Sequence, residues 1–266
     1  MFSDCNHNQT YVQKPWCLPV VMENLPLFVL PMVLLPGEVQ DLRVFEPRYK
    51  QMLDDCVLNN SEFGYIAGNV DGGSENGWSL PAEYGVLTSA ENLQEQGTNL
   101  MFTAYGEKRF RVMKIIPAAL SAEDFGDVFP SVDELVERYI EENAEGKLYI
   151  RAEVEILPPV DGVIDDNDWI DVLEMWAWQI VEMSGMFRNE ELSLSEVFSV
   201  LKSEFAPYSE YSLWIACHSL LDSVDDRQTA LASTSASEIM QLLKMTVAEK
   251  NTQLKAIRSV MENDSE

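Results

Sequence analysis

The chain has 266 residues, 46% of them hydrophobic, enough to bury one good core or two smaller ones. Its 45 acidic residues against 18 basic give a formal net charge of -27, which repels phosphate backbones and disfavours nucleic acid as a partner. No stretch offers the roughly 20 uninterrupted apolar residues of a bilayer span, the N-terminus lacks the basic flank of a signal peptide, and Cys5, Cys17, Cys56 and Cys217 make no C-x-x-C pair. The expectation is a reduced, cytoplasmic protein without membrane contact.

Residues 1–24 read as a flexible tail. Cys5, His7 and Cys17 are metal-binding types, but their spacing matches no zinc framework and no metal is expected. Residues 25–35 are apolar apart from prolines, each of which removes a backbone donor, so the segment suits short or edge strands with bends between them. Pro36-Gly37 turns the chain and residues 39–45 are extended again. Glu46-Pro47 opens a helix, with Pro47 where a missing N–H costs least. Its apolar stripe is Tyr49, Met52, Leu53, Cys56 and Val57. Arg48 stands in the first turn, where a cation opposes the helix dipole, so a local acceptor such as Glu46, Asp41 or a loop carbonyl is expected for it.

The LPLF, VLLPGE and FEPRY motifs of residues 25–49 resemble the opening of the Lon N-terminal domain, the substrate-binding domain of the Lon protease family. The resemblance continues through Phe63-Gly64-Tyr65-Ile66, Gly85-Val86-Leu87-Thr88, a hairpin over residues 97–112 ending in RFRV, and a last strand over residues 148–157. It covers about residues 25–160 and implies a PUA-like β pseudo-barrel. Residues 118–147 are longer than the family's usual link, and residues 131–142 read as an inserted acidic helix, with Ser131 and Glu134 forming a capping box.

Pro158-Pro159 and Asp161-Gly162 mark a linker, after which helical periodicity dominates, starting at the acidic cluster of residues 165–168. The first helix, residues 169–187, presents Ile170, Leu173, Trp176, Ala177, Ile180, Val181 and Phe187 on one broad face. Met175, Trp178 and Met186 lie on a second side that something should cover, either the fold itself or a bound partner. Further helices are expected over residues 194–205, 209–221 and 235–261, the last after a Ser/Thr/Ala link at residues 230–237. Residues 226–248 resemble the helix pair that follows the barrel in longer family members. The final helix carries a stripe of Ile239, Leu242, Leu243, Val247, Leu254, Ile257 and Met261, interrupted at Lys250, and its length suits wrapping along the bundle or homodimer formation with another copy.

The whole chain therefore reads as α+β, a barrel over residues 25–160 and a helical domain over residues 161–266. No G-x-x-x-x-G-K-[ST] loop and no recognisable serine–lysine motif occurs, so the ATPase and protease chemistry of the longer proteins is not expected. Adjacent acidic doublets point about 100° apart on a helix and to opposite faces on a strand, which makes no acid/base pair. His218 has no nucleophile and carboxylate arrangement asking for it. The resemblance thus implies a protein or peptide recognition module, not an enzyme and without cofactors. It would act as an adaptor or holdase for unfolded or client proteins, with a protease as a further partner, and the candidate binding residues are Trp178, Met175 and Met186. A barrel edge accepting an extended peptide is the other candidate surface. The alternatives are a PUA-like RNA-binding protein, for which only Lys108-Arg109-Arg111 and Arg43-Arg48-Lys50 offer basic clusters, and an uncharacterised enzyme.

Overall fold

The computed structural model describes residues 20–69, 73–126, 130–188 and 191–263. Cys5, His7 and Cys17 lie outside the described residues. In chain order the first half runs β1 (Val20–Leu30), β2 (Val39–Val44), α1 (Pro47–Asn59), β3 (Phe63–Gly68), a small hairpin of β4 (Ser74–Glu75) and β5 (Trp78–Ser79), β6 (Pro81–Gln96), β7 (Asn99–Ile116), α2 (Val132–Glu137) and β8 (Arg151–Ile156). The sheet order is β2-β7-β6-β3-β1-β8, and an additional β7–β8 pairing closes it into a barrel. Closure is possible because β7 is 18 residues long. Its first half pairs with β2, from Val44↔Leu100 to Val39↔Tyr105, and its second half with β8, from Phe110↔Ile156 to Ile116↔Arg151.

The second half of β1 and β3 read as near-continuous apolar runs because both of their faces are covered. Leu27, Val29, Ile66, Leu87 and Phe110 point into the barrel, which is filled by its own small core. Gly64 and Gly85 make room for that filling: a Cβ on either would stand 2.7 Å or 2.5 Å from the Phe110 ring. The alternate residues, Phe28, Tyr65, Val86 and Phe102, point outward into a larger core shared with α1 and the helices that follow. The inserted segment packs Phe125, Leu135, Tyr139 and Leu148 into a third cluster against Trp78.

Several expectations shift. β1 starts at Val20, with Val20 to Met22 paired to β8, so residues 20–24 are strand and not tail. It is also no edge strand, lying between β3 and β8. Pro26 is accommodated because pairing with parallel β3 begins only at Leu27. Val57 is 56% exposed, so the α1 stripe stops at Cys56. The acidic insert keeps its Ser131–Glu134 capping box but is helical only to Glu137.

The second half is α3 (Asp166–Phe187), α4 (Leu194–Phe205), α5 (Glu210–Leu220), α6 (Val224–Ala232) and α7 (Ala236–Asn263). α6 occupies part of the expected link, burying Ala230 and Leu231 completely. The helices lie on the outer face of the sheet. The Gln228 side-chain amide pairs with the Tyr84 backbone in both directions, at 3.0 and 3.4 Å. Arg227 donates to Val33 O and to the Glu38 carboxylate, which also accepts from Leu35 N. The linker is fixed as well: Asp161 N donates to Thr234 O, and Ala236 N to Asp161 O. No helix among the described residues is long and apolar enough to cross a membrane.

Candidate functional site

Helices α3 and α7 run parallel, side by side, and polar contacts climb the seam in step. Lys244 Nζ bonds Asp168 at 2.7 Å and Asp171 at 2.9 Å, Asn251 Nδ2 donates to Met175 O at 2.9 Å, Lys255 Nζ sits 5.0 Å from the Trp178 ring centroid, and Arg258 pairs with Glu182 at 2.8 Å. The second side of α3 is therefore covered by α7 at Met175 and Trp178, both half-buried along that seam, and Met186 further up α3 is half-buried too.

The exposed apolar surface lies further up the same two helices. Phe187 stands two turns past Ile180, which packs on the core, and so projects from the same face of α3. Yet Phe187 is 62% and Met183 43% exposed. On α7, Leu243, Val247 and Leu254 are buried, but Ile257, one turn beyond, is 43% exposed and Val260 59%. The last buried residues of the two helices are Ser184 and Leu254. Both apolar stripes overrun the core that they cover lower down. α4 starts beside this end, adding Leu192 and Leu194, which are exposed too. Ile170 and Val181, expected in the core, are half-buried, whereas Trp169 and Val172 are the α3 residues the core encloses.

Closing the barrel leaves β2 as an edge, hydrogen-bonded to β7 alone. Val39 on it and Phe45 just beyond it are about half exposed. The basic clusters do not form a stripe. Arg109 is buried and donates to Leu231 O, Ser233 O and Pro158 O at 2.6 to 2.9 Å. Arg111 pairs with Glu155. Arg48 finds Glu46 at 2.8 Å, as the first-turn argument required, and is sandwiched between the Tyr49 and Trp78 rings at 4.2 and 4.1 Å.

Groups with chemical capacity are held quiet. Burial pushes the Cys56 thiol to about 11 and the Cys217 thiol to about 12, far from a thiolate at neutral pH. His218 is exposed and lies 3.2 Å from the Glu38 carboxylate. Among the described residues no group of three or more His, Cys, Asp and Glu is placed so that it could hold a metal ion.

Comparison with the curated proteins gives no match. Among solved structures the chain is similar to a Lon N-terminal domain protein from Xanthomonas campestris, at 23% identity and a TM-score of 0.51, over 84% of this chain and 98% of that one. It is also similar to the N-terminal domain of the Mycobacterium avium complex Lon protease, at 13% identity and a TM-score of 0.50, over 85% and 98% of the two chains. At these identities the likeness speaks to the fold. The family described as the ATP-dependent protease La (LON) substrate-binding domain matches residues 24–263, extending the resemblance from the barrel through all the helices. On that span the chain belongs to the LON substrate-binding domain family.

Proposed function

We propose that the protein is a non-catalytic recognition module that holds exposed apolar segments of client polypeptides, as an adaptor or holdase, at the C-terminal ends of α3 and α7 beside the start of α4. The supporting observation is that the core-facing stripes of α3 and α7 continue past the last buried residues, leaving Met183, Phe187, Ile257 and Val260 facing solvent. Met186 borders this surface, whereas Trp178 and Met175 act mainly by fixing α3 against α7. A net charge of -27 favours clients whose apolar segments carry Lys or Arg, with binding that weakens as salt rises. The RNA alternative has no basic stripe in its support, since Arg109 and Arg48 are committed inside the fold.

Burying the Phe187 ring in a client contributes about 2 kcal/mol, roughly thirtyfold in affinity. The test pairs Phe187→Ser with Ile257→Ser and measures binding of a reduced, alkylated and permanently unfolded protein by fluorescence anisotropy. The double variant is expected to bind at least tenfold more weakly, with a melting temperature within about 2 °C of wild type because both side chains are already exposed. Unchanged binding there, combined with a loss in Val39→Lys, would move the site to the β2 edge.

A further inference from the structure

Away from that surface, a cavity of about 150 Å³ opens between the linker and the starts of α3, α5 and α7. Its wall includes Trp169 and Tyr208, whose rings stack at 5.2 Å with an 11° tilt. Trp169 is wholly buried. Trp169 Nε1 and Tyr208 Oη are both enclosed, and neither has a hydrogen-bond partner. A buried donor left unsatisfied is unfavourable, and two in one wall point to an acceptor that both can serve. Burial, with the Asp166 carboxylate as a lesser cause, raises the Tyr208 phenol, so it remains a donor at neutral pH.

Of the two other polar side chains in the wall, Ser209 is committed to capping α5, accepting from Ser212 N, and Glu210 narrows the ligand's chemistry. Glu210 lines the same cavity, and its two recorded bonds, from Val160 N at 3.3 Å and Trp214 Nε1 at 3.4 Å, are long and both fall on Oε1. A carboxylate or phosphate ligand would meet Glu210 and Asp166 as like charges, and a simple cation would leave both donors unserved. A group that joins an acceptor to a donor satisfies all three. The space is several times that of one water, about 30 Å³, and Val163 at the rim is 98% exposed, an apolar surface for whatever carries that group.

We propose that this cavity binds a neutral carboxamide, its carbonyl oxygen accepting from Trp169 Nε1 and Tyr208 Oη and its N–H donating to Glu210. Either a free small amide or a Gln or Asn side chain of a peptide could supply the group.

The experiment follows indole N–H resonances in the ¹⁵N-labelled full chain, with the Trp169 signal assigned through Trp169→Phe. Titration with propionamide should shift that signal saturably, propionate should bind at least tenfold more weakly, and Tyr208→Phe should weaken propionamide at least threefold. Tighter binding of N-acetyl-glutamine methylamide than of propionamide assigns the group to a peptide, with N-acetyl-glutamate methylamide as the charged control; the reverse order assigns it to a free amide. Phe187→Ser should leave the titration unchanged, which separates this site from client capture. A linear drift of equal size with amide and carboxylate, or full affinity in Tyr208→Phe, overturns the proposal and leaves a cavity that takes only solvent.

Discussion

One guanidinium joins three segments that are far apart in sequence. Arg109, on the outer face of β7, reaches the end of α6 through Leu231 O and Ser233 O and the linker through Pro158 O. It also lies 5.4 Å from the Trp214 ring. Burial lowers its pKa, as desolvation of a cation requires, so the carbonyls and the Glu210 charge must hold it. Arg109→Met is therefore expected to cost about 3–5 kcal/mol in urea denaturation, since it strands three buried carbonyls at once. Arg109→Lys should recover less than half of that, because an ammonium cannot span the fork that the guanidinium fills. A loss under about 1 kcal/mol in Arg109→Met would show that solvent reaches these carbonyls. The sequence places Arg109 and Phe110 on opposite strand faces correctly. What it does not carry is that the face opposite the barrel interior meets helices and not water, a fact set by residues more than a hundred positions away. Glu46, by contrast, could be named for Arg48 in advance, because dipole and partner both lie within one turn.

At the scale of elements, legibility tracks periodicity and caps. α4 occupies its expected bounds, α5 begins after the Ser209 cap, and α3 starts from the acidic cluster with the Asp165 side chain accepting from Asn167 N. α6 is legible only through the likeness of residues 226–248 to a helix pair and not from periodicity, because its burial rests on Ala230 and Leu231 within a Ser/Thr/Ala run that resembles a link. The candidate surface was half legible. The apolar stripes of α3 and α7 are plain in the sequence, but the point where the core stops covering them is set by the neighbouring helices. Asn251 marks the seam between the two stripes: it is buried, its Nδ2 serves Met175 O, and its Oδ1 has no partner. A half-satisfied buried amide costs stability while fixing register. Asn251→Leu should therefore fall within about 1 kcal/mol of wild type or be more stable, measured by urea midpoint. A clear loss beyond that would mean the Asn251–Met175 bond contributes more than the orphaned oxygen costs.

Across the whole molecule, one core cluster runs from Phe28 and Tyr65 on the sheet to Cys217 on α5 and Leu243 on α7, so sheet and helices should unfold together. Cys217 is a probe of that core because it is wholly buried. Burial raises its thiol from an ordinary 9.0 to about 12, with Arg227 opposing as a lesser cause. A raised folded-state pKa means that the native protein binds more protons than the unfolded chain between those two values, so stability must fall as pH rises there. The contribution is fully present below about pH 9 and is lost progressively toward pH 12. Buried phenols at Tyr49, Tyr65 and Tyr149, raised by the same desolvation, steepen the fall. By about pH 10.5 the thiol alone should account for about 2 kcal/mol. Cys217→Ala loses packing equally at every pH, so the informative quantity is the slope of unfolding free energy against pH. The variant should be less stable than wild type at pH 8 and should close most of that gap by about pH 10.5. Parallel slopes in the two proteins would mean that Cys217 ionises in the native state as readily as in the unfolded chain, and that the shared core is open to water at its centre.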